Sequence, residues 1–493
     1  MAPRATIYAA AAFILAVVLL VAGTSSQHSK SPPVVACYLG SWAVYRPSLG
    51  QFTVEDIDPT LCTHVIYAFA GLNETTNRIM SLDPAYDIEK GAFKRVVALK
   101  ERNPRLKVII AIGGWTEGSA KYSKMADSSQ TRKMFIDSTI AFIREHKFDG
   151  LDLDWEYPAS RGGKPHDKKN FVQLCKELRT VCNHFGWVLT AAVGAGKSTV
   201  DTAYDLPALS KELDYLHLMA YDYHGKWDGV TGHNAPLYAR DDEPEEQRVL
   251  NVEFSVDYYL KKGVPPRKLV LGLGLYGRTF LLTDPANPAI AAPAQSTAFA
   301  GPYTREDGFL GYNEICKKQV SEPGLWRVVW QKAHQAPYMF RQNMWVSYDD
   351  DNSVGLKVAF AQSRNLAGVM VWSIDTDDFR GSCGAGKFPL LVAINKALGK
   401  QVETTVRPII SPEVRPPPQP VPGVPLPPLT PSDIPTFIDH DVEGDNTIDG
   451  SSRSHSTTGA PDSSDGTSLT SFQSFAMFAL FILAMQYLFG HAL

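Results

Sequence analysis

Residues 148–158 read FDGLDLDWEYP and place four carboxylates, Asp149, Asp152, Asp154 and Glu156, among Phe, Leu, Trp and Tyr. Acidic side chains normally stay in water, because burying an unpaired carboxylate is costly. Side chains on an extended strand alternate between its two faces. Asp152, Asp154 and Glu156 therefore share one face, and Leu151, Leu153 and Trp155 the other. Asp149 has the opposite parity and is expected to fix the entry of the strand. Stacked carboxylates in a dry environment repel and cannot all be ionised at neutral pH. The outcome is shared protons and at least one strongly raised pKa. Such a group keeps a proton at neutral pH and can donate it as a general acid.

What positions these acids is legible from hydrophobic patterning. Apolar, β-branched runs recur as VVACYLG at 34, HVIYAFAG at 64, KVIIAIGG at 107 and FDGLDLDWE at 148. They continue as WVLTAAVG at 187, YLHLMAYD at 215, KLVLGLGLYG at 268 and GVMVWSID at 368. Segments of helical periodicity, such as TRKMFIDSTIAFIREHK and NFVQLCKELRTVC, separate most of them. Alternating helices and continuous hydrophobic strands predict an α/β fold with a parallel sheet covered on both faces. Eight such units predict a closed (β/α)8 TIM barrel rather than an open sheet. The stretch VGAGKST at 193 mimics a phosphate loop but lacks the full spacing. Residues 277–352, between the seventh and eighth barrel strands, are rich in aromatic and polar residues. They are too long for a bare loop and predict a small inserted α+β module.

In a barrel the acidic face points inward and climbs toward the C-terminal rim, where barrel active sites are built. A raised-pKa Glu at that rim is what general-acid cleavage of a glycosidic bond requires. The competing readings are a hydrogen-bonded core cluster and a calcium site, but calcium loops carry a glycine-bearing turn rather than a strand. No metal, nucleotide or other cofactor is expected.

With 48 Lys and Arg against 52 Asp and Glu, the chain has a formal charge of −4, which gives no argument for nucleic acid as a partner. Arg4 and the apolar run IYAAAAFILAVVLLVAG read as a signal peptide over residues 1–26, with an uncleaved signal anchor as the alternative. Six cysteines suit an oxidising route. Cys175 and Cys182 lie two helical turns apart, about 10 Å, and are expected as buried thiols rather than a disulfide. Asn73-Glu74-Thr75 is an expected glycosylation acceptor.

The catalytic barrel is expected over 34–400. Residues 401–474 form a Pro-rich and then Ser/Thr-rich linker, and 475–493 an apolar tail. Small residues at 463–466, a polar spacer and that tail match a lipid-anchor signal, with a membrane helix as the alternative. Extracellular, membrane-attached placement of a monomer is the expectation.

DGLDLDWE fills every acidic position of the D-x-x-D-x-D-x-E signature and resembles glycoside hydrolase family 18 chitinases of the animal and arthropod type. CYLGSWAVYR, AIGGW, MAYDYHG and VWSIDTDDF resemble the family's first, third, sixth and eighth strands, and the insertion opening at YGRTF resembles its chitin-insertion module. The resemblance implies Glu156 as general acid and Asp154 as the group that orients the substrate's N-acetyl arm. It implies that Asp152 pairs with Asp154 and holds its proton, and that Tyr221 donates to the acetamido oxygen. Tyr38, Trp42, Phe69, Trp115, Met219, Asp222, Arg278 and Trp372 would line a cleft for chitin or chito-oligosaccharides. Cys37–Cys62 and Cys316–Cys383 are the implied disulfides. The alternatives on the same barrel are a catalytically silent chitin-binding lectin, which would lack the acid at the Glu156 position, and an endoglycosidase of the N-glycan chitobiose core.

Overall fold

A computed structural model of the chain describes residues 32–402. Eight parallel strands close into a barrel: β1 (Val34–Gly40), β2 (His64–Asn73), β4 (Lys107–Gly113), β5 (Gly150–Asp154), β6 (Val188–Gly194), β7 (Tyr215–Met219), β8 (Leu269–Gly274) and β14 (Gly368–Trp372). Each pairs with the next, and β14 pairs with β1, which leaves no open barrel edge. A short hairpin strand, β3 (Arg78–Ser81), extends β2. Helices α1 (Ala92–Ala98), α2 (Ala120–Ala126), α3 (Ser129–His146), α4 (Asp167–Phe185), α5 (Lys197–Ala203), α6 (Leu206–Glu212) and α7 (Val252–Lys261) follow in chain order.

Strand parity decides what faces inward. Val35, Cys37, Leu151, Leu153, Leu189, Leu216, Leu271 and Val369 belong to the large outer core between strands and helices. Ala36, Tyr38, Ile66, Ile109, Ala111, Val270 and Met370 form the smaller interior cluster. The inner positions flanking β5 are small or polar. Ala111 and Gly113 stand opposite Asp152 and Asp154 on one side, and Thr190 opposite Asp152 on the other. Gly113 has φ +117°, and a Cβ there would fall 2.0 Å from the Asp154 carbonyl oxygen, so this approach requires glycine.

Between β8 and β14 a five-stranded antiparallel sheet contains β9 (Tyr276–Leu281), β10 (Phe309–Gly311), β11 (Arg327–Gln331), β12 (Ala336–Arg341) and β13 (Met344–Ser347). Helix α8 (Tyr312–Ser321) packs on it, with Leu310, Ile315, Met339 and Val346 in the shared core. The chain returns through α9 (Asp351–Ser363) to β14 and ends in α10 (Pro389–Ala397). Disulfide Cys37–Cys62 links β1 to the segment before β2, and Cys316–Cys383 links α8 to the segment after β14. Cys175 and Cys182 are free, buried thiols on α4. Among the described residues no helix is long and apolar enough to cross a membrane. The expected leader, linker and apolar tail lie outside the described residues.

Candidate active site

The acid row lies where strand parity puts it. Asp152 and Asp154 are buried inside the barrel and Glu156 follows at the end of β5. Asp149 is set apart, accepting from the Val108 backbone N–H at 2.8 Å and pairing with Lys100 at 3.0 Å on the strand's entry side. Each inner acid meets a different environment. Asp152 accepts from Tyr38 Oη at 2.8 Å through one oxygen and from Thr190 Oγ1 at 2.5 Å through the other. Tyr38 Oη is in turn 2.8 Å from His217 Nδ1. Because the tyrosine has one proton and spends it on Asp152, His217 is read as the neutral Nδ1–H tautomer that donates to Tyr38. Burial holds the His217 pKa down at about 3, which agrees with a neutral ring.

Asp154 has the opposite situation. Its Oδ1 is buried without a hydrogen-bond donor. Burial, then the neighbouring Glu156 and Asp152 charges, raises its pKa well above the ordinary carboxyl value. Burial raises Asp152 to about 6 against the opposing pull of its two hydroxyl donors, Thr190 and Tyr38. Hydroxyl groups that donate to both Asp152 oxygens favour its carboxylate form, while burial and the neighbouring acids disfavour charge on Asp154. Glu156 is raised to about 7 by burial, opposed by Tyr157 and Arg161.

Around the acids the strand ends bring aromatic rings together. Trp372 at the end of β14 lies 5.8 Å from Phe69, 6.0 Å from Trp42 and 5.6 Å from Tyr38, measured between ring centroids. Phe69 stacks against Trp42 at 6.1 Å, and Trp42 is 44% exposed. Phe69 has outward parity by simple alternation. It reaches the cleft because the β2–β4 register shifts between Tyr67 and Ala70. Trp115, just beyond β4, is 61% exposed. These faces suit sugar rings, whose apolar sides stack on aromatics.

On the opposite side, β7 ends in Met219, half-buried in the barrel interior, followed by Tyr221 and Asp222. The Tyr221 hydroxyl has a long contact, 3.9 Å, to Met370 Sδ. This leaves a weakly engaged donor facing the row of acids. Asp222 Oδ1 accepts from Tyr276 Oη at 2.6 Å and Arg278 Nε at 2.7 Å, and its backbone N–H donates to Asn234 Oδ1 at 3.0 Å. The Arg278 guanidinium lies 5.2 Å from the ring centre of Trp227, which is 57% exposed. The first strand of the insertion thus supplies Tyr276 and Arg278 to the cleft wall.

Sequence reasoning missed Thr190, His217, Tyr276, Arg161 and Trp227. Parity could have found Thr190 and His217, both inward polar residues on barrel strands; Trp227 sits in a turn, where spacing carries no signal. Asn73 Oδ1 accepts from the Thr75 and Thr76 backbone N–H groups at the β2–β3 turn. Among the described residues, Cys316, Cys383 and Asp378 come nearest to a metal-binding set. Both sulfurs are in the disulfide, so only a carboxylate remains to offer.

The chain has counterparts among known proteins. Residues 34–377 match the family described as glycosyl hydrolases family 18. A probable chitinase 2 of Drosophila melanogaster is 49% identical over 373 residues, 73% of this chain and 75% of the relative. The crystal structure of an Ostrinia furnacalis Group IV chitinase in complex with allosamidin superposes with TM-score 0.73 at 47% identity. The match covers 74% of this chain and 99% of that one. Human YKL-39, described as a pseudo-chitinase with retained chitooligosaccharide binding, superposes with TM-score 0.70 at 38% identity over 75% and 100% of the two chains. The match runs through the acid row and most of the barrel, and by it this chain belongs to glycosyl hydrolase family 18, as a glycoside hydrolase.

Proposed function

We propose that this protein is an endo-acting chitinase that cleaves β-1,4-linked N-acetylglucosamine polymers with retention of configuration. The observation that carries the reading is Glu156, a buried carboxyl just past the end of β5 and in step with Asp152 and Asp154, whose pKa burial raises to about 7. The proton of Glu156 passes to the glycosidic oxygen as the C1–O bond breaks. The acetamido oxygen of the same sugar attacks C1 and forms an oxazolinium ring. Asp154, with Asp152 beneath it, is positioned to hold and then stabilise the acetamido N–H, and Tyr221 to donate to its oxygen. Glu156, now ionised, takes a proton from water as that water opens the ring at C1. The substrate supplies the nucleophile, so the distance rule for paired carboxylates does not apply.

The bound allosamidin in the Ostrinia furnacalis relative supports a carbohydrate-mimic cleft at this place in the fold. The silent-lectin alternative is disfavoured by the presence of Glu156 itself. The chitobiose-endoglycosidase alternative shares the chemistry, and the inserted sheet, which heightens one cleft wall with Tyr276 and Arg278, favours a long polymer. Two disulfides fit a secreted, extracellular protein. Residues 463–493 match a lipid-anchor signal, with a membrane helix as the alternative, and either would hold the enzyme at a membrane. Product analysis on chito-oligosaccharides and on N-glycans tests the activity. The expected result is cleavage of the oligomers with a β-anomeric product; cleavage of N-glycans alone would overturn the substrate assignment.

A further inference from the structure

Side-chain hydrogen bonds tie the segment that leaves β5 to the segment that leaves β4. Arg161 Nη1 donates to the Glu156 backbone carbonyl at 3.0 Å, and Nη2 donates to the Trp115 backbone carbonyl at 3.0 Å. The same guanidinium lies 3.5 Å from the centre of the Trp115 indole. That is contact distance for a planar cation stacked on a ring. One face of Trp115 is thereby occupied, and its 61% exposure leaves the other for a ligand. Arg161 itself has φ +49°, a conformation that non-glycine residues keep only where surroundings enforce it. Here the enforcement comes from buried Asp167, whose carboxylate accepts from Lys164 N–H at 2.7 Å, Ala159 N–H at 3.2 Å and Ser123 Oγ at 2.7 Å. Ser119 Oγ adds a second stitch, donating to the Tyr157 carbonyl at 2.8 Å.

We propose that Arg161 is a positioning residue that locks the Trp115 platform and the Glu156 backbone into one rigid unit, so that a sugar stacked on Trp115 is held in register with the acid. The inference rests on the chitinase reading above. A lysine could keep the charge but not a planar stack with two backbone hydrogen bonds. Arg161 also acts on the acid's proton. The groups around Glu156 are Asp154, Tyr157 and Arg161 from β5 and its exit, Tyr204 from the end of α5, and Tyr221 and Asp222 from beyond β7. Of these, Arg161 is the cation, and it favours the carboxylate form.

The test is a kinetic comparison of wild type, Arg161→Gln, Arg161→Lys, Trp115→Ala and the Arg161→Gln/Trp115→Ala double variant on chito-oligosaccharides. Arg161→Gln is expected to lower kcat/KM about tenfold to a hundredfold. Its alkaline limb should move to higher pH, because loss of the cation leaves Glu156 protonated further up. Arg161→Lys should keep the limb in place yet lose most of the kcat/KM. In the double variant the two losses should be less than additive, since each breaks the same unit. Additive losses with an unmoved pH limb would overturn the proposal, as would full activity in Arg161→Gln. Melting temperatures within a few degrees of wild type separate positioning from unfolding; should Arg161→Gln fail to fold, Arg161→Lys against Trp115→Ala carries the same cycle. A wild type inactive on every oligomer would overturn the chitinase reading instead.

Discussion

At the scale of single residues, the site divides one task among acids that differ only in their neighbours. Asp152 has two hydroxyl donors and Asp154 an orphaned oxygen, so burial raises both pKa values and the donors oppose the rise only at Asp152. Glu156 is expected to titrate near pH 7. Only its protonated form can assist the leaving group, so kcat/KM should fall as pH rises through that value, a limb measurable with a soluble oligomer. Glu156→Gln should lose at least 10²-fold in kcat while oligosaccharide affinity, read by calorimetry, stays within a few-fold. Near-wild-type turnover would remove Glu156 from the mechanism. Tyr38→Phe tests the support beneath. It strips one donor from Asp152 and should favour the protonated Asp152, cutting kcat about tenfold or more with little change in KM. A raised KM at constant kcat would show Tyr38 to be only a wall of the cleft.

At the scale of elements, alternation on β5 makes the acid row legible in the sequence, and the eight-fold recurrence of apolar runs does the same for the barrel. The cleft aromatics are less legible, and the reasons are particular. Phe69 reaches the site through a register shift, which alternation cannot foresee. Tyr276 and Arg278 act across the boundary between barrel and insertion, 54 and 56 residues from their partner Asp222, so no local pattern joins them. Trp372 is the case where parity and placement agree, and its role can be separated from packing. It is half-buried and touches Tyr38, Trp42 and Phe69, which themselves line the cleft. Trp372→Ala should therefore lower kcat/KM on oligomers by about tenfold or more, while stability falls less than the roughly 3–5 kcal/mol typical of a core Trp truncation. Matched losses of activity and thermal stability would assign the ring to the core.

At the scale of the whole molecule, holding acids protonated in the dry interior bears on the stability of the fold. A carboxyl whose folded pKa is raised binds its proton more tightly when folded, so its contribution favours the native state at low pH and fades as pH rises from the unfolded value toward the folded one. Glu156 at about 7, Asp152 at about 6 and Asp377 at about 7 all work in this direction. His64 at about 4 and His217 at about 3 work against it, because their depressed pKa values make the unfolded chain the better proton binder below pH 6.5. The net profile is thus a difference of opposed terms, and a single-site comparison isolates one of them. Glu156→Gln replaces a carboxyl with a neutral isostere. At pH 4 both side chains are uncharged, and the two proteins should melt together. At pH 8 the wild type carries a buried charge that the variant lacks. The gap between 4.5 and about 7 corresponds to roughly 3 kcal/mol in favour of the variant. Calorimetric melting at the two pH values checks this: a variant that is stabilised at pH 8 and unchanged at pH 4 marks Glu156 as a group whose placement serves catalysis at the expense of the fold. Equal melting at both would mean that the folded pKa of Glu156 is ordinary, and a proton donor near neutrality would have to be sought elsewhere in the cleft.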